Sequence, residues 1–220
     1  MDKYHDRRLA DRVFDLAWTH SQVVLRQLNA TEADAQLFGR LAGSVLYPHA
    51  ALRADAGVLM RNRRGQSGLW GYAISGDLPI VLLQINDSES IDLVRRMVQA
   101  HAYWRLKGLA VDLVISIEDH SGYRQVLHER ILGMIAPGIH ANVTDRSGGV
   151  FVRPADQISS EDRVLLLSVA RVILTDALGP LSEQVARRRT GEAPIPRLVP
   201  ARPWRAEPIR ASAEPPEAEL

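Results

Sequence analysis

The sequence predicts an α/β fold, and three observations carry that reading. Residues 78–85 and 109–115 are short apolar runs rich in branched side chains, as strands buried on both faces require. A helical pattern of about 20 residues separates them, and an amphipathic N-terminal segment supplies further helices for packing.

Residues 1–50 read as a helical extension. Leu9, Val13, Leu16, Ala17, Val24, Leu25 and Leu28 recur at three- and four-residue intervals, so a first helix has an apolar face that needs a partner. Asn29 and Ala30 break this pattern. Thr31, with Asp34 three residues on, resembles a capping box, in which hydroxyl and carboxylate each satisfy a free backbone N–H. A second helix then runs to about Val45 and ends before Pro48. Residues 51–77 have little period, contain RNRRGQSG, and read as an irregular, partly exposed connector.

Residues 78–190 form the α/β part. Pro79 stands at the first position of the first strand, where its missing N–H does least harm. Ser88 or Ser90 caps a helix carrying Ile91, Val94, Met97, Val98, Ala102 and Leu106 on one side. Gly108 suits the left-handed residue that ends this helix, and residues 109–115 supply the second strand. A crossover of this length makes the two strands parallel and the connection right-handed. A third helix, from about Gly122 to Ala136, turns Tyr123, Val126, Leu127, Ile131 and Met134 inward and stops at Pro137-Gly138. Residues 139–143 and 150–152 read as a strand pair across the turn 145–149. Ser159 with Asp162 opens a fourth helix through Val164, Leu165, Leu167, Val169, Val172 and Ile173. Gly179-Pro180 interrupts it, and a last short helix reaches about Arg189. These elements add up to a short, mostly parallel, Rossmann-like sheet flanked by helices. Residues 191–220 hold seven of the twelve prolines and no periodic apolar face, which favours an extended linker or disordered tail.

Composition narrows the function classes. With 27 Lys+Arg against 26 Asp+Glu, no global field favours nucleic acid, an anionic membrane or a polyanionic substrate. The absence of cysteine removes disulfides, thiolate nucleophiles and thiolate metal sites, and suits a reducing compartment. No stretch approaches the roughly 18 consecutive apolar residues of a membrane span, and the opening residues MDKYHDRRLADR lack the apolar core of a signal peptide. A cytoplasmic location is the expectation.

Three groups of residues could carry chemistry. Arg61, Arg63 and Arg64, with Gln66 and Ser67 among glycines, are a candidate anion site, although GxxxxGK[ST] spacing is missing and structural pairing with nearby acids is the competing role. Trp70, Tyr72 and Asp77 could contact carbohydrate or a neighbouring domain: the aromatics offer faces to sugar rings, and the carboxylate accepts from hydroxyls. They could equally close the edge of the core and fix a turn at Gly76. Glu118, Asp119 and His120 follow the second strand, where open α/β sheets commonly place ligands, and form a candidate pocket. Asp119 or Ser121 could instead cap the next helix. The histidines form no recognised metal pattern, and GxGxxG, GxSxG and HExxH motifs are absent. No metal, cofactor or catalytic residue is assigned.

Four segments in this order carry a resemblance to a known family: LAWTHSQVVLRQLNATEADAQLFGRLAGSVLY, RNRRGQSGLWGYAISGDLPIVLLQI, LVRRMVQAHAYWRLKGLAVDLVI and EDHSGYRQVL. Together they are similar to an internal portion of the large bacterial cyclic β-1,2-glucan synthases, associated with the glycosyltransferase-36 or phosphorylase-like module. The stretch GQSGLWGYAISGDLPIVLL is the most specific, because many of its non-hydrophobic positions are not dictated by periodicity. The resemblance implies a part in making or trimming cyclic β-1,2-glucan within multidomain inner-membrane proteins that use UDP-glucose. Neither the membrane helices nor the catalytic domains of such proteins have a counterpart here, so the expectation is an accessory or scaffold fragment, from a split or truncated frame, without independent catalysis. Its expected partners are the remaining domains of the parent protein, β-1,2-glucan is a candidate ligand, and inner-membrane association would come through the parent. Two alternatives stand beside it: an autonomous sugar-phosphate-binding or carbohydrate-processing α/β protein, and a structural module that docks through its first helices.

Overall fold

A computed structural model describes residues 7–118, 124–135 and 143–187. Strands β1 (Ile80–Ile85), β2 (Asp112–Ile117), β3 (Val150–Pro154) and β4 (Val172–Thr175) form one all-parallel sheet in the order β3-β2-β1-β4. In the centre, Leu82 of β1 lies between Val114 of β2 and Ile173 of β4, and Leu83 lies between Ile115 and Leu174. The α/β reading holds, and the sheet is parallel throughout.

The two-residue period of a strand divides the core into two layers. Val81, Leu83 and Ile85, with Leu113, Ile115, Val150, Val152, Val172 and Leu174, belong to the larger cluster. It is completed by α2 (Glu32–Leu46), α4 (Ile91–Leu106), α5 (Arg124–Ile135) and α7 (Leu181–Ala186). Ile80, Leu82, Val114 and Phe151 belong to the second cluster, with α6 (Ser160–Val169) and a 3-10 turn over Gln66–Tyr72.

Helix α4 buries Leu93, Ala100, His101 and Trp104 as well as the expected Ile91, Val94, Met97, Val98 and Ala102, whereas Leu106 is exposed. One amphipathic stripe is not enough because α4 is covered on a second side. Trp104 Nε1 donates to the Phe38 carbonyl of α2 at 2.9 Å, and the Tyr103 and Phe38 rings pack tilted at 52° with centroids 5.9 Å apart. The end of α1 (Arg7–Gln27) completes this layer, with Val24 and Leu28 against Ala102 and Tyr103. Upstream, the same helix leaves Val13, Phe14, Leu16 and Trp18 exposed.

Local signals behave as their chemistry requires. Thr31 caps α2 in a full capping box with Asp34, which stabilises the helix by about 1 kcal/mol. Gly108 follows α4 at φ 83°, and the Ser159 hydroxyl accepts from the Asp162 N–H to open α6. Before α4, the side-chain cap comes from Asp87, which accepts from the Glu89 N–H, while Ser90 makes no side-chain bond to the helix. The stretch after Leu52 is less irregular than its sequence suggests, because it contains α3 (Ala56–Arg61) as well as the 3-10 turn.

The main correction concerns Val172 and Ile173, which the spacing extends into the fourth helix. Helix α6 stops at Val169, and Val172–Thr175 is a strand instead. Val, Ile and Thr favour extended backbone, and the free edge of β1 offers hydrogen bonds that an isolated helix end lacks. Arg171 N–H takes the Ile80 carbonyl at 2.8 Å and opens the pairing. Of the expected strand pair, residues 139–142 lie outside the described residues, as do the tail 191–220 and both ends expected for the third helix. Val150–Pro154 is an edge strand parallel to β2, and Val143 and Thr144 approach it through a tight loop.

Strand order reverses between β1 and β4, and in open α/β sheets this crevice is where ligands enter. Here Asp176 fills it. Its Oδ2 accepts from the backbone N–H groups of Asn86 at 2.7 Å and Asp87 at 2.8 Å, and its Oδ1 from Asn86 Nδ2 at 2.7 Å. Burial works to raise the Asp176 carboxyl, but the Asn86 side chain and the surrounding backbone donors outweigh it and hold it below its ordinary value.

Two predictions follow from this architecture. Asp176→Asn should lower stability near neutrality by about 2 kcal/mol, because charge-assisted hydrogen bonds are lost. A depressed carboxyl stabilises above its unfolded pKa and loses that contribution as pH falls through the folded value. Denaturant titrations should therefore show the gap between wild type and variant closing in acid. Gly149→Ala should be severe, since a Cβ there would sit 1.9 Å from the Val143 carbonyl oxygen and 2.6 Å from that of Arg146. Backbone atoms cannot rotate away, and a thermal melt should register a loss of at least about 2 kcal/mol.

Candidate functional site

The connector between α3 and β1 builds a cleft from short-range contacts. Asp55 caps α3, and Asn62 just beyond it accepts the Arg64 N–H on its Oδ1 at 3.0 Å. The following 3-10 turn lies close on α6: a Cβ at Gly68 would come within 2.8 Å of Leu165 Cδ2. Gly76, at φ 78°, lets the Gln66 and Leu69 side chains approach its backbone.

The Ser75 carbonyl ties these pieces together. It accepts from Gln66 Nε2 at 2.8 Å and from Trp70 Nε1 at 3.3 Å. Gln66 Nε2 also reaches Asp77 Oδ1 at 3.0 Å. The result is an open cleft of about 420 Å³, with Asn62, Arg64, Gln66, Asp77 and Arg171 as polar lining over a floor that includes Leu69 and Leu165. Trp70 is not among the lining residues; its indole N–H is anchored on the Ser75 carbonyl and the residue is 63% exposed.

The candidate anion residues divide between two surfaces. Arg61 and Arg63 line a separate cleft with Ser160, Glu161 and Val164. Arg64 Nε lies 3.0 Å from Glu161 Oε2 and 3.3 Å from Asp162 Oδ1. Gln66 serves the Ser75 and Asp77 bonds, and Ser67 is exposed. Tyr72 belongs to the framework: its hydroxyl donates to Asp162 Oδ2 at 3.0 Å, and its carbonyl accepts from Arg153. The Ser159 hydroxyl, helped by Tyr72 and Arg64, holds the Asp162 carboxyl below its ordinary value against the effect of burial.

Glu118 lies just beyond the carboxyl end of β2 and is 8% exposed. Its Oε1 accepts from Gln84 Nε2 at 3.2 Å and Ser116 Oγ at 2.9 Å, and its Oε2 pairs with Arg163 of α6. Asp119 and His120 lie outside the described residues. Among the described residues, no three His, Asp or Glu side chains are grouped to hold a metal ion. No described helix is long and apolar enough to cross a membrane.

Sequence reasoning missed Asn62, Arg163 and Arg171. Arg171 was hidden by the helical reading of residues 164–173, since recognising β4 would have put it at the start of a strand. Arg163 follows the recognisable Ser159–Asp162 cap, but nothing local indicates that it meets Glu118.

No protein-family model matches this chain. It is, however, 32% identical over 191 residues to the cyclic beta-(1,2)-glucan synthase NdvB of Rhizobium meliloti (strain 1021), an alignment covering 85% of this chain. The chain spans 7% of that relative's length. That share is one α/β segment, and over it the chain is a homologue of the cyclic β-(1,2)-glucan synthases.

Proposed function

We propose that the chain is an accessory, non-catalytic module of a cyclic β-1,2-glucan synthase-type protein, which docks through α1 onto the remaining domains. The observation that carries this reading is the divided environment of one helix. Toward its end, Val24 and Leu25 are buried; two to three turns earlier, Phe14 is 72% and Trp18 is 66% exposed, with Val13 and Leu16 also open. At 100° per residue, Val13, Leu16, Phe14 and Trp18 flank the direction of Val24 and extend its apolar arc. Adjacent exposed apolar groups of this size mark an interaction surface. The homologous protein contains far more sequence than this segment, and its other domains are the occupant to which the proposal commits.

Two features support a non-catalytic role. Asp77 is the single carboxylate among the lining residues of the connector cleft, whereas glycoside hydrolysis ordinarily uses a pair. Glu118, at the carboxyl end of β2, is already engaged by Arg163, Gln84 and Ser116. The neighbouring domains proposed as occupant include the glycosyltransferase-36-like module, and they would hold the segment on the cytoplasmic side of the inner membrane.

The test is binding in trans. A Rhizobium meliloti synthase lacking its matching segment should retain the purified chain, and Phe14→Ala/Trp18→Ala should weaken retention at least tenfold while leaving the thermal melt unchanged. Equal retention of the folded variant, or no retention of the wild type, overturns docking through α1. Phosphorolysis of β-1,2-glucooligosaccharides by the isolated chain overturns the non-catalytic reading.

A further inference from the structure

We infer that the connector cleft binds an apolar α-amino acid as its zwitterion, with Asp77 on the ammonium, Arg171 and Asn62 on the carboxylate, and Leu78, Pro79 and Val169 against the side chain. This ligand site goes beyond docking through α1 and does not depend on it.

Two opposite charges share one space without meeting. Asp77 and Arg171 both line the cleft, and among the described residues neither forms an ion pair. Each is seated by its own backbone. The Arg171 N–H takes the Ile80 carbonyl at 2.8 Å, which places the residue beside β1, and the Asp77 N–H donates to Ser75 Oγ at 3.2 Å. Gln66 Nε2 joins the Ser75 carbonyl at 2.8 Å to Asp77 Oδ1 at 3.0 Å and so orients the carboxylate. A ligand carrying both signs would satisfy two groups that are already held in place, at little cost in ordering.

The groups left open define that ligand. Asn62 Oδ1 accepts the Arg64 N–H at 3.0 Å, which leaves its Nδ2 to donate. Arg64 Nε faces Glu161 at 3.0 Å and Asp162 at 3.3 Å, so its charge is offset within the chain. Among the described residues, the open donors of the lining are then the Arg171 guanidinium and the Asn62 amide, which suit a carboxylate. The open acceptors are Asp77 Oδ2 and Gln66 Oε1, which suit an ammonium.

The apolar lining supplies the third requirement. Leu69, Ile80 and Leu165 are buried, whereas Leu78 and Pro79 are half-buried and Val169 is 36% exposed, so apolar surface stays open to a ligand. An α-amino acid joins carboxylate, ammonium and apolar group at a single carbon. A phosphate would bring its anion toward Asp77, and a simple amine would leave Arg171 without a partner. At about 420 Å³, the cleft lies within the usual range of small-molecule sites, roughly 300–1,000 Å³.

The experiment is titration of the purified chain with L-leucine, N-acetyl-L-leucine and L-leucinamide, followed by backbone amide shifts in NMR. Leucine should give saturable shifts in the cleft. The acetylated form lacks the ammonium and leucinamide lacks the carboxylate, and each should bind at least fivefold more weakly. Asp77→Asn should weaken leucine binding severalfold and abolish discrimination against N-acetyl-L-leucine, while Arg171→Gln should do the same for leucinamide. Phe14→Ala/Trp18→Ala on α1 should bind leucine as wild type does, and the dispersed amide spectrum establishes that each variant is folded. No saturable shift with leucine, or equal leucine binding by wild type and both folded cleft variants, overturns the site. Leucinamide binding as tightly as leucine, with loss in Asp77→Asn alone, identifies a cationic ligand; N-acetyl-L-leucine binding as tightly, with loss in Arg171→Gln alone, identifies an anionic one. Either result overturns the zwitterion assignment.

Discussion

Strand β1 is paired on both edges and covered on both faces, so its backbone groups must find their partners in β2 and β4. No solvent stands ready to replace a missing bond there. This constraint fixes the neighbouring elements: β4 must leave helix α6 early enough to reach β1, and the larger layer must supply an apolar surface for Val81, Leu83 and Ile85. Helix α4 answers the second demand and is itself enclosed by α2 and the end of α1, with Trp104 hydrogen-bonded into α2. The N-terminal helices are therefore a second layer of the core for part of their length.

In the crevice between β1 and β4, where an open α/β sheet ordinarily receives a ligand, a carboxylate from the chain itself takes the backbone N–H groups. A nearby buried acid, Glu118, is satisfied by Arg163 and two neutral donors. Before the first residue of β1, the connector instead builds an open cleft lined by Asn62, Gln66 and Asp77. Asp176 and Glu118 at the carboxyl end thus hold the fold together, whereas Asn62, Asp77 and Arg171 line an open cleft.

Helix α1 shows how far one amphipathic pattern can be used. Its terminal turns bury Val24 and Leu25 in the domain, while its earlier turns present Val13, Phe14, Leu16 and Trp18 to solvent. An arc that broad matches neither a solvated helix nor a fully packed one. Among the described residues, α1 thus carries four large exposed apolar side chains, in a chain that spans 7% of its relative.

Much of this was legible locally. The apolar runs at β1 and β2, the Thr31–Asp34 box, the Gly108 stop and the Ser159–Asp162 cap each depend on groups a few residues apart, and each signal is strong in sequence. Trp70 and Asp77 were legible as residue types, but the Ser75 and Gln66 bonds that hold them were not. What required the tertiary structure was every choice between equally acceptable local states. Residues 172–175 have a helical spacing and a strand composition, and the open edge of β1 decides between them. The partners of Glu118 and Asp176 lie 45 and 90 residues away in the chain, and Arg171 reaches the cleft only because β4 pairs where it does. Periodicity records which side chains avoid water, while their company there is set by packing of the whole chain.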